Sequence, residues 1–286
     1  MPEGDTIHRI SRTMAPRLVG KVVERVEAPR LTDDVGQLVG MRITMVEARG
    51  KYLVIGFDKS IALLTHLRMK GKWNFYAPGD RWRYARSSLS VLIGVEGTDA
   101  CLFSAPFVRF VRQRHLRDLL GADALGPDLL GESFDVEHAV AQLRREPDDV
   151  LGVALLDQWR VAGVGNVYKS EMCFHLRLDP FELVSRMADD ALRDLLLRTR
   201  DVMAANVRVE MALQGRGAST PYGYRRDTSL GLRADGSRGC AQASRPISVY
   251  GRRGEPCFAC GSPIEMRRQG PQQRSTYFCA SCQRRA

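Results

Sequence analysis

No run of apolar residues in this 286-residue chain reaches the length that a bilayer span requires, roughly 18 to 20 residues. The first residues carry Glu3 and Asp5 and no apolar stretch of signal-peptide length. These two absences lead us to expect a soluble, cytoplasmic protein with no membrane partner. A disulfide framework is not expected either, because the seven cysteines are odd in number and fit a reducing compartment. Lysine is missing from Gly215 to the end, where 13 arginines face only four acidic residues. That stretch therefore carries +9 of the formal net charge of +10. A one-sided charge of this kind suits a surface that meets a polyanion, since basic clusters release counterions from nucleic acid; a solvated basic tail is the alternative. There is no internal repeat.

The length exceeds one typical domain, so two or three compact units are expected. Asp5 or Thr6 can cap an N-terminal helix whose apolar positions Ile7, Ile10, Met14 and Leu18 recur at helical spacing. From Lys21 to Val111 the chain reads as short β-rich runs separated by Gly, Asp or Pro. They are VVERVEA, RITMVEARG, KYLVIGF, SIALLTHL, KWNFYA, SLSVLIGV and ACLFSAPF, and together they predict a sandwich or barrel. LGADALGPDLL, 120 to 130, reads as a hinge. Helical periodicity returns in FDVEHAVAQLRRE, VLGVALLDQ and ADDALRDLLLRTRDVMAANVRV, with a turn at RVAGVGNVY. Residues 215 to 248, rich in Gly, Arg and Ser, read as a loop or an expanded linker.

The sharpest motif closes the chain: Cys257 and Cys260, eighteen residues, then Cys279 and Cys282. Each C-x-x-C can turn two thiolates towards one metal, and two pairs complete a tetrahedral zinc site. Four sulfurs leave no open position for water, so one structural zinc ion is expected, against the alternative of two disulfides or redox pairs. Cys101 and Cys173 lie in apolar surroundings and read as buried spectators. Arg274 lies between the pairs, near the tip or edge of a metal-stapled β-hairpin. In the company of Arg252, Arg253, Arg267 and Arg268 it can grip phosphate.

AGVGNVYKSE, 162 to 171, lacks the third glycine and the preceding strand of a dinucleotide fingerprint. It reads better as a tight turn between helices, with Gly163 and Gly165 admitting another stretch of backbone. Asn166 then starts a helix, where free amides attract phosphate. Lys51 follows Gly50 at the start of a strand and by itself reads as a solvated charge. The opening MPEGDT suggests a reagent: without Met1, Pro2 is a secondary amine. Such an amine has a pKa near about 8, lowered by the dipole of a helix that begins close by. It can attack an aldehyde-like carbon to form an iminium, with Glu3 beside it to move protons.

Taken together these pieces resemble the formamidopyrimidine-DNA glycosylase and endonuclease VIII family. The anchors are PEG, RGK at 49 to 51, LLDQ…AGVGNVYKSE at 155 to 171, VYGRRGEPC at 249 to 257 and QRSTYFCASCQ at the end. PEG in place of a PEL start makes the chain most like the endonuclease VIII branch. The resemblance implies an α+β multidomain protein. It comprises an N-terminal catalytic β-sandwich with an N-terminal helix (1–118), a hinge linker (119–131), a helix–two-turn–helix domain with a Gly/Arg-rich loop (132–248) and a four-cysteine zinc finger built on a β-hairpin (249–286). It implies a monomeric DNA glycosylase and AP lyase of base excision repair, acting on damaged DNA with oxidised pyrimidines as substrates. Pro2 matches the nucleophile that attacks C1′, Glu3 the acid/base residue, and Lys51 the lysine that supports catalysis and contacts a phosphate. Asn166 and Arg274 match residues gripping the bent backbone around an extruded nucleotide, and Met69 matches a wedge position whose alternative is core packing. Successive β- and δ-elimination would leave a one-nucleoside gap. The chain departs from the pattern where the purine-lesion branch has a DPRRFG-like wedge segment: here it reads FSAPFVRFV, and no role passes to Arg109 or Phe110. A second early glutamate of some members is Thr6 here. A non-catalytic zinc protein that binds damaged DNA is the rival reading, and it leaves Pro2, Glu3 and Lys51 without a purpose.

Overall fold

The computed structural model describes residues 2–31, 35–120, 125–214 and 247–283. Its packing separates into two units, one built on residues 6–124 and one built on 125–209 and the C-terminal part; Glu3–Asp5 pack with the second. Among the described residues, no helix is long and apolar enough to cross a membrane.

Helix α1, Gly4–Leu18, belongs to the first unit from Thr6 onward. Ile7, Ile10, Met14 and Leu18 are all buried on one stripe, as their spacing predicts. The helix begins earlier than expected. Asp5 and Thr6 sit inside its first turn, not at its cap, because the Gly4 N–H is already bonded to the Gly163 carbonyl at 2.9 Å. Among the described residues, eight strands follow: β1 Val23–Glu27, β2 Ile43–Arg49, β3 Tyr52–Phe57, β4 Ile61–His66, β5 Lys72–Tyr76, β6 Leu89–Val95, β7 Thr98–Phe103 and β8 Phe107–Arg112. They form two antiparallel four-stranded sheets, ordered β1-β6-β7-β5 and β2-β3-β4-β8. The last strand was hidden in the sequence, because the FSAPF run spans two strands, broken at Ser104 with φ +52°. One core of Ile43, Leu53, Ile55, Leu63, Trp73, Val91, Ile93 and Leu102 joins the α1 stripe to both sheets. A short helix, α2 Leu116–Leu120, ends the unit.

The second unit is helical. Helix α3, Val136–Leu143, is capped by Asp135, whose carboxylate accepts the N–H groups of Glu137 and His138 at 2.9 and 3.1 Å. Helix α4 covers only Leu151–Ala154, shorter than the helical reading of VLGVALLDQ. The chain turns away after it because the Gln158 amide donates to the carbonyls of Leu156 and Val164, both at 3.0 Å. Helix α5, Asn166–His175, and the long α6, Asp189–Gln214, complete the layer. Leu143, Leu151, Val161, Tyr168, Met172, Leu192, Leu195 and Met203 form their common core. The hairpin of β9, Glu265–Gln269, and β10, Arg274–Phe278, pairs antiparallel from Gln269–Arg274 to Glu265–Phe278. Its small core is Phe174, Val249, Cys257, Ile264 and Cys279. The Gly/Arg-rich stretch up to 246 and Cys240 lie outside the described residues.

Candidate active site and metal centre

The turn before α5 is built around two glycines. Gly163 takes φ +104°, a conformation that side chains disfavour. A Cβ on Gly4 would lie 2.9 Å from the Gly163 Cα, and one on Gly165 would overlap the Glu3 carboxyl carbon. The close backbone approach inferred from AGVG is therefore made by the chain's own N-terminal segment. Into that space comes Glu3, 2 % exposed. Its carboxylate accepts the N–H groups of Gly165, Val167 and Tyr168 at 2.8, 2.9 and 3.3 Å. A carboxylate at a helix N-terminus meets unsatisfied amides and the positive end of the dipole together. The amides at the start of α5 thus hold an internal anion, Glu3, where the sequence suggested a phosphate.

Further partners stiffen this arrangement. The Tyr168 hydroxyl donates to Asp5 at 3.0 Å and accepts from the Asn206 amide of α6 at 2.7 Å. Burial, then the Asp5 charge, raises that phenol well above its ordinary pKa, so it stays a neutral donor. Asn166 is the first residue of α5, as expected, and its Oδ1 is buried without a hydrogen-bond partner among the described residues.

In the first unit, Pro2 is half-buried directly before Glu3. Lys51 is a turn residue after Gly50 (φ +56°), one position before β3, and is half-buried. The neighbouring His66 escaped the sequence reading. Burial, followed by the charges of Arg68 and Lys51, pushes its imidazole down to about 4, so it is neutral at physiological pH. Its Nδ1 accepts the Arg68 N–H at 3.0 Å and its ring meets Tyr52 edge to face. The only sequence signal was its position three residues before Met69. Met69 itself is 71 % exposed, which removes the core-packing alternative.

At the C-terminal end, the sulfurs of Cys257, Cys260, Cys279 and Cys282 all lie within 4.8 Å of one another. The Cys257–Cys282 and Cys260–Cys279 separations are 3.9 and 3.5 Å. A disulfide needs about 2.05 Å, whereas a tetrahedron of about 2.3 Å metal–sulfur bonds spaces its sulfurs about 3.8 Å apart. The four thiols therefore fit one metal ion and do not fit two disulfides. Cys101 and Cys173 are buried, and desolvation pushes each thiol up to about 12. Their burial is as expected, and a thiol held protonated is a poor nucleophile.

Arg274 opens β10, just past the hairpin turn, where the tail motif placed it. Its guanidinium donates to Gln272 Oε1 at 2.9 and 2.6 Å. Helix α5 is bonded to this hairpin by residues that the sequence did not single out, Lys169 and Ser170.

Residues 1–114 match the family described as "Formamidopyrimidine-DNA glycosylase N-terminal domain", and residues 125–215 match "Formamidopyrimidine-DNA glycosylase H2TH domain". A "Probable endonuclease 8 2" of Streptomyces coelicolor is 34% identical, covering 99% of this chain and 94% of that protein. A "DNA-(apurinic or apyrimidinic site) lyase Nei2" of Mycolicibacterium smegmatis is 33% identical, with 99% of each chain covered. Among solved structures, Lactococcus lactis Fpg (MutM) in complex with DNA containing N7-benzyl-Fapy-dG superimposes with a TM-score of 0.77. It covers 99% of this chain and all of that one at 22% identity, a likeness of fold.

Proposed function

The chain belongs to the formamidopyrimidine-DNA glycosylase and endonuclease VIII family, and from that premise we propose that it is a bifunctional DNA glycosylase and AP lyase that removes oxidised pyrimidines. The observation that carries the reading is the fixed Glu3 carboxylate one residue from Pro2. A protein that only bound DNA would have no use for a buried carboxylate held beside a potential N-terminal amine.

With Met1 removed, the Pro2 nitrogen forms a bond to C1′ of the damaged nucleotide as the C1′–base bond breaks, and the base leaves with that bond's electron pair and takes up a proton from solvent water. The amine proton passes by way of Glu3 to the ring oxygen as the sugar opens, and the nitrogen lone pair completes an iminium. That electron sink acidifies C2′. Loss of its proton expels the 3′ phosphate, and a second elimination expels the 5′ phosphate. Lys51 contacts a phosphate beside the lesion, and Asn166 and Arg274 hold the bent backbone. Met69, exposed and apolar, fills the space that the flipped nucleotide leaves, offsetting a cost of a few kcal/mol.

The four cysteines hold one zinc ion, which closes the tail around the hairpin carrying Arg274 and takes no part in the chemistry. The pyrimidine preference rests on PEG and on FSAPFVRFV in place of a DPRRFG-like wedge. It is supported by relatives named endonuclease 8.

The test is single-turnover excision on duplexes carrying thymine glycol or 8-oxoguanine opposite cytosine, with borohydride added to an abasic duplex in parallel. Thymine glycol should be released faster, and reduction should leave a protein–DNA adduct on Pro2. Equal rates on the two lesions would end the pyrimidine assignment. The absence of any adduct would end the lyase assignment.

A further inference from the structure

Three consecutive residues of α5, Lys169, Ser170 and Glu171, have no exposed surface at all. Lys and Glu are rarely buried so completely unless paired. Glu171 accepts the N–H groups of Ser248, Val249 and Tyr250 at 2.8, 2.8 and 2.7 Å, which fixes the chain leading into the hairpin. Ser170 Oγ accepts the Tyr277 N–H of β10 at 3.2 Å. Lys169 is the anomaly. Its ammonium donates to the Ser275 carbonyl at 3.1 Å and to Thr276 Oγ1 at 2.6 Å, both neutral groups on β10. Gln269 of β9 donates to the same threonine oxygen at 2.7 Å. Among the described residues, no carboxylate forms an ion pair with this lysine.

Such a lysine is a poor way to stabilise a fold. Burial moves its pKa from 10.5 down to about 8. The unfolded chain thus holds the proton more tightly than the folded one, so the charge opposes folding at neutral pH. The penalty shrinks as pH rises from about 8 towards 10.5. An apolar side chain of similar volume would serve stability as well or better.

We propose that Lys169 is a positioning residue for Arg274: its buried ammonium fastens the first residues of β10 to α5 and so fixes where the guanidinium meets a DNA phosphate. The inference rests on the DNA-binding reading above. Arg274 directly precedes Ser275, and a strand held at two consecutive residues cannot pivot at its first one. The guanidinium is further held by its bonds to Gln272 Oε1. The groups whose charge reaches Lys169 are Glu3 before α1, Arg274 on β10 and Cys173 on α5. Cys173 is neutral below its pKa of about 12, which leaves Glu3 attracting the ammonium and Arg274 repelling it. A phosphate arriving at Arg274 offsets that repulsion, so binding above pH 8 takes up a proton at Lys169.

The experiment uses full-length zinc-loaded protein and a duplex containing a tetrahydrofuran abasic analogue, which cannot react. Dissociation constants at pH 7 and pH 9 are measured for wild type, Lys169→Met, Lys169→Arg, Arg274→Ala and the Met/Ala double variant, with melting temperature and zinc content alongside. Lys169→Met should melt no lower than wild type and keep its zinc, yet bind about tenfold more weakly at pH 7, the scale of one charge-assisted hydrogen bond. It should also lose the wild-type weakening between pH 7 and 9. Lys169→Arg should retain most of the affinity. In the Arg274→Ala background the Met substitution should cost nothing further, since it acts through that arginine. Three results overturn the proposal: a Met variant that binds like wild type, a loss that adds to that of Arg274→Ala, or a fall in melting temperature that accounts for the weaker binding. A wild type that binds no duplex at either pH overturns the proposed function together with this inference.

Discussion

The Gly165 N–H donates to the Glu3 carboxylate at 2.8 Å across 162 positions of sequence. Two features make the bond possible. Gly165 has no side chain where the carboxylate lies, and α5 begins at the next residue, offering the amides of Val167 and Tyr168 as well. The proposed proton carrier is thereby held by backbone, whose geometry few surface changes can disturb.

Gly165→Ala tests this relationship directly. The added methyl would overlap the Glu3 carboxyl group, so the carboxylate must leave its three amides. Overpacking of this kind costs about 1–3 kcal/mol, a modest fall in melting temperature. Base release should fall far more than stability does, at least about 100-fold on the scale of a lost acid/base group. Excision that survives at wild-type rate would show that Glu3 need not sit at the start of α5.

The N-terminus provides a second test. An acylated proline nitrogen is an amide with its lone pair delocalised, unable to form an iminium. Protein that retains Met1, or carries a tag ahead of Pro2, should release no base and give no borohydride adduct. It should still bind the abasic duplex, because Asn166 and the hairpin are untouched. Trapping at the wild-type level would move the nucleophile to a lysine, with Lys51 the first to replace.

Metal content can be measured independently of activity. Elemental analysis should find one zinc per chain, and Cys257→Ser or chelation should remove it. The hairpin's own core is small, including Cys257, Cys279 and Ile264, so metal loss should unfold this region while the β-sandwich of Trp73, Ile55 and Leu102 stays intact. DNA affinity should then drop with little change in the main melting transition. Fully active protein without metal would refute the assignment.

Salt dependence isolates Arg274. If its guanidinium neutralises one phosphate, Arg274→Ala should reduce the slope of log K against log[salt] by about one unit. Covalent trapping at saturating protein should suffer less than binding does. An unchanged slope would place Arg274 away from the DNA.

Local patterning was enough to reveal much of this protein. The 3.6-residue recurrence of Ile7, Ile10, Met14 and Leu18 specified α1 and its buried stripe. Alternating β-branched runs specified most of the sandwich strands, and paired C-x-x-C motifs specified a four-sulfur cluster, because ligand spacing is itself a local property. The family was legible for the same reason, since its anchors are short contiguous motifs. What sequence could not supply were relationships across long separations. Nothing local in VALLDQ shows that Gln158 will fold back on Leu156 and Val164 and end α4 early. Nor does AGVGN reveal that the anion at its amides will be Glu3. A lysine written among polar neighbours in NVYKSE reads as solvated; only packing of α5 against β10 buries it and lowers its pKa to about 8. Spacing along the chain fixed which elements form and which ligands pair, whereas burial and hydrogen-bond partners, which depend on distant residues meeting, were decided by tertiary structure alone.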